Sequence, residues 1–199
     1  QFPDSCHATK IVIEHGFAPL LVGESALEVE ACWQKMLDRI WWYGPQGIAA
    51  FAVSAVDMAL WDLKGKALGL PVCNLIGGRL TDKVVAMGSI HLDMDDLDWT
   101  VNEFKWMAEQ GYQIVKGGWG TRPESVFGTD EKRDLELTHR IREVIGDECD
   151  LVLDVLGARV RWDVQTAIDR LEKLEPYRLL WIEEPLPPQD YQSHVLLRQ

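Results

Sequence analysis

The sequence contains no C-x-x-C pair: Cys6, Cys32, Cys73 and Cys149 are scattered singly along the chain. That spacing excludes a disulfide frame or a zinc site, and thiols of this kind are expected to be reduced, as in a cytoplasmic protein. Basic residues are scarce. Lysine plus arginine number 20 against 32 aspartates and glutamates, a net charge of −12 that no Lys/Arg run offsets. Such a chain repels phosphate backbones and anionic lipid, so neither nucleic acid nor a membrane surface is expected as a partner. Long apolar runs are missing too, because the stretch around residues 48–60 is broken by Ser54 and Asp57 and is too short to span a bilayer. The opening Gln1-Phe2-Pro3-Asp4 has neither a basic start nor an apolar segment, so no signal peptide is expected. Repeats and low-complexity segments are absent. What remains is ordinary for a globular protein: 199 residues, 47% hydrophobic and 26% charged, enough to bury a core.

Helical signals dominate the first eighty residues. Ser25 with Glu28 has the form of a capping box, and Leu27, Trp33, Met36, Leu37, Ile40 and Trp41 then recur at helical spacing, predicting a helix over 25–43 that ends at Gly44-Pro45. A second helix is predicted over 48–68. Its stop is Gly69, suited to a left-handed C-terminal position, with Pro71 behind it. Phe51, Ala55, Met58, Ala59 and Leu63 form one stripe of this helix, and Ala52, Val56 and Leu60 flank it. A helix apolar nearly all round is expected to lie buried between two layers. Asp57, within it, then needs a polar partner, backbone or cation. The nine tryptophans suggest core and interface burial, and Trp41-Trp42-Tyr43 reads as packing.

After Gly77-Gly78 the texture changes to apolar strands alternating with helices. Strands are predicted at 84–89, 112–116, 151–154 and 179–183, and helices at 95–110, 130–145, 164–174 and from Tyr191 to Gln199. This alternation implies a parallel sheet covered by helices. An eightfold β/α barrel uses about 31 residues per unit, so residues 81–199 correspond to about four βα units. The chain therefore reads as half a barrel (81–199) preceded by part of another domain (1–80), and a half barrel leaves open edges that invite association with another chain.

In parallel α/β proteins the reactive groups sit at the carboxyl ends of strands. Three of the four predicted strands end in a charged residue: Lys116, Asp154 and Glu183. An acid in such a place also serves as a cap for the following helix, and that reading of Asp154 stands beside the chemical one. Strand parity sets Trp181 with Glu183 on one face and Ile182 with Glu184 on the other, so one of the two acids points inward. Two carboxylates converging on one site repel unless a cation sits between them, and such oxygen ligands suit magnesium. Gly117-Gly118-Trp119-Gly120 is no dinucleotide loop, since Pro123 stands where the last glycine is needed. It reads as a mouth of small residues leading into Thr121–Thr129 and shaping a pocket. His91, just beyond the first strand, is either substrate-adjacent or a solvated loop histidine. His139 and His194 read as structural or exposed.

The run from Ala52 through Asp57, Trp61-Asp62, Lys64-Gly65-Lys66, Gly69 and Pro71, followed by Leu75-Ile76-Gly77-Gly78, resembles the end of the capping domain in the mandelate racemase and muconate lactonizing branch of the enolase superfamily. Leu151-Val152-Leu153-Asp154 and Trp181-Ile182-Glu183-Glu184-Pro185 resemble that family's first two metal-ligand strands. The resemblance implies a partial (β/α) barrel preceded by the helical part of an α+β cap. It also implies Mg2+ held by strand-end carboxylates, and abstraction of a proton alpha to a carboxylate to give an enediolate. Asp154 would be the first ligand, Glu183 the second, and Glu184 a neighbour supporting them, while His91 and Trp119 are expected either in the same supporting layer or beside the substrate.

The sequence departs from the family pattern at two places. Family members commonly carry Lys-x-Lys at the second strand, where this chain has Lys116-Gly117-Gly118. Gly118 takes no proton, so Lys116 is left to polarise substrate or site. The resemblance then implies a base beyond residue 199, a histidine with an aspartate partner. Because racemisation needs a base on each side of the carbon, dehydration of a sugar acid is the expected reaction ahead of racemisation or cycloisomerisation. Leu156 also stands where many relatives have asparagine. The alternative is a non-catalytic scaffold that keeps the fold; a homo-oligomer is expected in either case.

Overall fold

A computed structural model describes residues 3–120, 122 and 125–198. The chain divides into two units, Gln1–Asp82 and Lys83–Gln199. In the first, α1 (Pro3–Ile11) runs through a π turn at Val12–Phe17 into α2 (Ala18–Leu21), and α3 (Val29–Arg39), α4 (Ile48–Leu68) and α5 (Val72–Leu75) follow. Phe17, Met36, Ile40 and Ala52 are fully buried, with Ala49 and Val53 beside them. Gly69 takes φ 67° and closes α4, as its lack of a Cβ allows, and Leu70 N–H returns to the Gly65 carbonyl at 2.9 Å.

Several expectations fail in this unit. The helix predicted over 25–43 starts four residues later, because Ser25 is spent on a local turn: Leu27 N–H donates to its hydroxyl and Glu28 N–H to its carbonyl. The α4 stripe is not buried between layers, since Phe51, Met58 and Leu63 are all at least half exposed. Its covered side is instead the one carrying Ala49, Ala52 and Val53, whose small side chains let Phe17, Met36 and Ile40 approach closely. Among the described residues Asp57 meets no cation; burial and the neighbouring Glu30 carboxylate both push its carboxyl up. Core burial of the tryptophans fails as well. Of the nine, Trp162 is buried, whereas Trp41, Trp42 and Tyr43 stand in the turn after α3 and are exposed.

The second unit is a parallel sheet in the order β1 (Met87–Ser89), β2 (Ile114–Gly117), β3 (Asp150–Asp154), β4 (Leu179–Glu183). Crossovers run through α6 (Leu97–Glu109), α7 (Glu131–Ile145), the short α8 (Gly157–Val160) with α9 (Val164–Leu174), and α10 (Tyr191–Leu197) follows β4. Gln199 of the predicted last helix lies outside the described residues. Four helices begin on an aspartate cap. Asp96, Asp130, Asp163 and Asp190 accept backbone N–H groups at the starts of α6, α7, α9 and α10, so part of the acidic excess is spent on helix initiation. Val115, Leu151, Leu153 and Ile182 face the helices and pack with Phe104, Met107, Leu137, Ile141 and Ala167. Their strand neighbours of opposite parity, among them Ser89, Lys116, Asp154 and Glu183, line the other face.

Arg142 on α7 ties the lower ends of these elements together. Its guanidinium donates to the carbonyls of Tyr177, Gly146, Cys149 and Arg178 at 2.7 to 3.1 Å. Arg142→Ala is expected to cost about 2–3 kcal/mol in chemical unfolding, because four acceptors lose a charged donor. Arg142→Lys should recover little, since a point ammonium does not span the four positions; full recovery by lysine would disprove the account.

Candidate active site

Parallel register brings the strand ends together. Ser89 pairs with Lys116 across β1 and β2, and Asp154 pairs with Glu183 across β3 and β4. Side chains one residue before or after these would point into the helix layer. Lys116, Asp154 and Glu183 therefore converge: the ammonium lies 3.1 Å from Asp154 Oδ2 and 2.5 Å from Glu183 Oε1. Asp154 is 2% exposed. Its Oδ1 accepts the Leu156 N–H at 2.9 Å and its Oδ2 the Trp119 indole N–H at 3.1 Å. The second oxygen of Glu183 accepts the Trp181 indole N–H at 3.3 Å.

Burial pushes the Lys116 ammonium toward losing its proton, but hydrogen bonds and charge from Glu183 and Asp154 outweigh it and raise the pKa above the ordinary lysine value. In turn, the hydrogen bond from Lys116 holds Glu183 below the usual carboxylate range against the opposing effect of burial. Lys116 is thus a firmly held cation in this arrangement, and a poor proton acceptor.

A cavity of about 200 Å³ opens beside it, lined by Ser89, Ile90, His91, Lys116, Gly117, Gly118 and Trp119. His91 and Trp119 are both at this mouth. Glu184 is not: it is exposed, at φ 46° just before Pro185, and has no hydrogen-bonding or ionic partner among the described residues. The supporting contact to Glu183 comes instead from Trp181, two residues earlier on the same face of β4. That partner was readable from alternation, but nothing in the local sequence says an indole N–H will reach the carboxylate. His139 is exposed on α7, and the His194 ring meets the Asp190 carbonyl at the start of α10. Of the predicted Thr121–Thr129 loop, Thr121, Pro123 and Glu124 lie outside the described residues.

Gly118 has a geometric cause. A Cβ there would sit 2.1 Å from the Asp154 carbonyl oxygen and 2.6 Å from its Cβ. The close approach of β3 to the end of β2 excludes any side chain, a lysine included. Gly118→Ala is expected to destabilise by about 1–3 kcal/mol through overpacking, measured by urea unfolding; an unchanged midpoint would refute the contact.

Asp154 and Glu183 form a donor set of hard oxygens around a position already occupied by positive charge, which fits a divalent cation of the magnesium type. Among the described residues no group of three or more His, Cys, Asp or Glu converges to hold a metal. Among them, too, no helix is long and apolar enough to cross a membrane.

Residues 2–77 match the mandelate racemase / muconate lactonizing enzyme N-terminal domain, and residues 99–199 match the enolase C-terminal domain-like family. Over 183 residues the chain is 34% identical to a 3,6-anhydro-alpha-L-galactonate cycloisomerase of Streptomyces coelicolor, covering 92% of this chain and 48% of that protein. It is 30% identical over 213 residues to a D-mannonate dehydratase of Caulobacter vibrioides, covering 94% and 51%. The fold superposes with a TM-score of 0.85 on a mandelate racemase/muconate lactonizing protein of Paracoccus denitrificans complexed with magnesium, at 29% identity over 96% of this chain and 51% of that one. The chain spans about half the length of the curated relatives it matches. With a cap-domain match over its first unit and a barrel match over half of its residues, the chain belongs to the mandelate racemase and muconate lactonizing enzyme branch of the enolase superfamily.

Proposed function

We propose that this protein serves a magnesium-dependent lyase that removes the proton alpha to the carboxylate of a sugar acid and expels the β-hydroxyl as water, leaving a 2-keto product. The observation that carries the reading is the convergence of Asp154 and Glu183 on one ammonium at the carboxyl ends of adjacent strands. Both carboxylates would hold the ion, and Trp119, Trp181 and the Leu156 N–H orient them. Magnesium bound there supplies fixed positive charge against which the substrate carboxylate becomes more negative as the proton leaves. Lys116, whose side-chain nitrogen reaches both carboxylates, is placed to stabilise the same charge by hydrogen bonding and is the residue of this chain assigned to the chemistry. His91 and Trp119 border the substrate pocket. Since position 118 is closed to any base, proton abstraction falls to a group in the part of the relatives' length that this chain does not span. Related dehydratases act on small sugar acids by name, and the free thiols are consistent with a cytoplasmic enzyme.

The test pairs the 199-residue chain with the full-length protein, each given magnesium and a panel of sugar acids and assayed for 2-keto product. Turnover is expected from the full-length protein alone, because general-base assistance is worth about 10² to 10⁴ in rate. Product from the 199-residue chain, abolished by Lys116→Ala, would overturn the assignment of the base. A second reading, cycloisomerisation of an anhydro-sugar acid, is favoured by the 34% identity to the Streptomyces coelicolor enzyme. It predicts turnover of 3,6-anhydrogalactonate and of no open-chain sugar acid. A full-length protein inactive on both classes would support a non-catalytic scaffold.

A further inference from the structure

Trp119 is 45% exposed and belongs to neither core cluster, so burial of its ring contributes little to stability. Its backbone is nevertheless fixed. Leu92 N–H donates to the Trp119 carbonyl at 2.5 Å, and Leu92 bridges to Gly120 in parallel fashion, so the loops after β1 and β2 hold each other. Gly118, with no side chain, lets β3 close on this loop until the Trp119 indole N–H reaches Asp154 Oδ2. With Leu156 N–H on Oδ1, the Asp154 carboxylate is clamped at both oxygens by neutral donors that stay in place if Lys116 swings to another partner. Without the indole, Oδ2 would keep only the Lys116 ammonium.

We infer that Trp119 is a positioning residue: its indole N–H fixes the rotation of the Asp154 carboxylate for a divalent cation, a role that Gly118 makes sterically accessible. The inference rests on the metal-site reading above. A neutral donor suits the task because it orients the oxygen without opposing the incoming positive charge. Outer partners of metal ligands of this kind typically govern affinity by about 10- to 100-fold.

The test titrates the intact chain with Mn2+ and follows the free-ion signal by electron paramagnetic resonance, with no substrate present. Asp154→Asn is expected to abolish the binding site. Trp119→Phe, which keeps a ring and loses the N–H, should weaken binding about tenfold, and Trp119→His, which restores a neutral N–H donor, should regain part of it. Trp106→Phe, an exposed tryptophan on α6, should change nothing. Native affinity in Trp119→Phe, with binding lost in Asp154→Asn, would overturn the inference and leave the metal site standing. Equal weakening in the phenylalanine and histidine variants, accompanied by a lowered melting temperature, would assign the ring a packing role and likewise overturn it. No Mn2+ binding in the native chain, or binding indifferent to Asp154→Asn, would remove the metal-site reading and the inference together.

Discussion

Lys116→Met is expected to destabilise the barrel unit by about 3–5 kcal/mol, the cost of leaving a buried charge without its partner. Methionine keeps the length of the stem, so the loss reports the charge. Asp154 carries most of the effect, because its side chain is 2% exposed, whereas Glu183 is about a third exposed and water can screen it. The Trp119 and Leu156 N–H groups remain on Asp154 but carry no net charge. If the two carboxylates form a divalent-cation site, millimolar magnesium should return much of the lost stability to Lys116→Met and none to a variant that also carries Asp154→Asn. Urea unfolding with and without magnesium measures both. A loss below about 1 kcal/mol would show that the pair is solvated far more than its burial implies.

Asp134 should give the protein a stability that falls as pH rises from about 4 to about 7. This residue on α7 is 2% exposed. It accepts Gly128 N–H at 3.0 Å and faces Arg170 of α9 at 3.1 Å. The charges around it are mixed: Arg170 also pairs with Glu131, which Lys173 holds at 2.7 Å, and Asp130 lies nearby. Burial dominates and pushes the carboxyl up to about 7 against the Gly128 and Arg170 contacts. A folded-state value raised above the unfolded one means that the folded protein holds the proton more tightly. Its contribution is complete below the unfolded value near 4 and is lost as pH climbs through about 7, a swing of about 4 kcal/mol. Asp134→Asn should flatten that part of the profile when unfolding is followed at pH 4 to 8. A profile with the same slope in both proteins would assign the dependence to other groups. The cluster matters for the mouth of the barrel as well. Trp162 Nε1 donates to the Gly128 carbonyl at 2.8 Å while the Arg170 guanidinium stacks on the Trp162 ring. The loop carrying Phe127 and Gly128 is thereby fastened to α7 and α9.

Elements with local punctuation are legible in the order of residues alone. Gly69 with Pro71 ends α4 at Leu68, Asp163 starts α9 at Val164, and β4 runs over the predicted 179–183. Where punctuation points two ways, sequence does not decide. Ser25 is as good a turn former as a helix cap, and it forms the turn. The strand predicted over 84–89 is confined to Met87–Ser89, because pairing with Ile114–Lys116 ends there and apolar character alone does not create a partner. The network around Asp134 is not legible, since Asp134, Gly128, Trp162 and Arg170 share no spacing that marks them as neighbours.

The sequence alone determined that acids and a lysine end successive strands, that alternate residues share a face, and that residue 118 offers no base. These are local matters of chain order and of a two-residue period. Tertiary structure decided which of those groups meet. Parallel register, set by the packing of α6, α7 and α9 on the far side of the sheet, aligned Asp154 with Glu183 and carried Glu184 out to solvent. The approach of β3 to Gly118 delivered the Trp119 indole to Asp154. It also decided that α4 buries its alanines and leaves Phe51 and Met58 exposed. Contacts of this kind join residues tens of positions apart, and their energies depend on burial and distance, which no window of sequence contains.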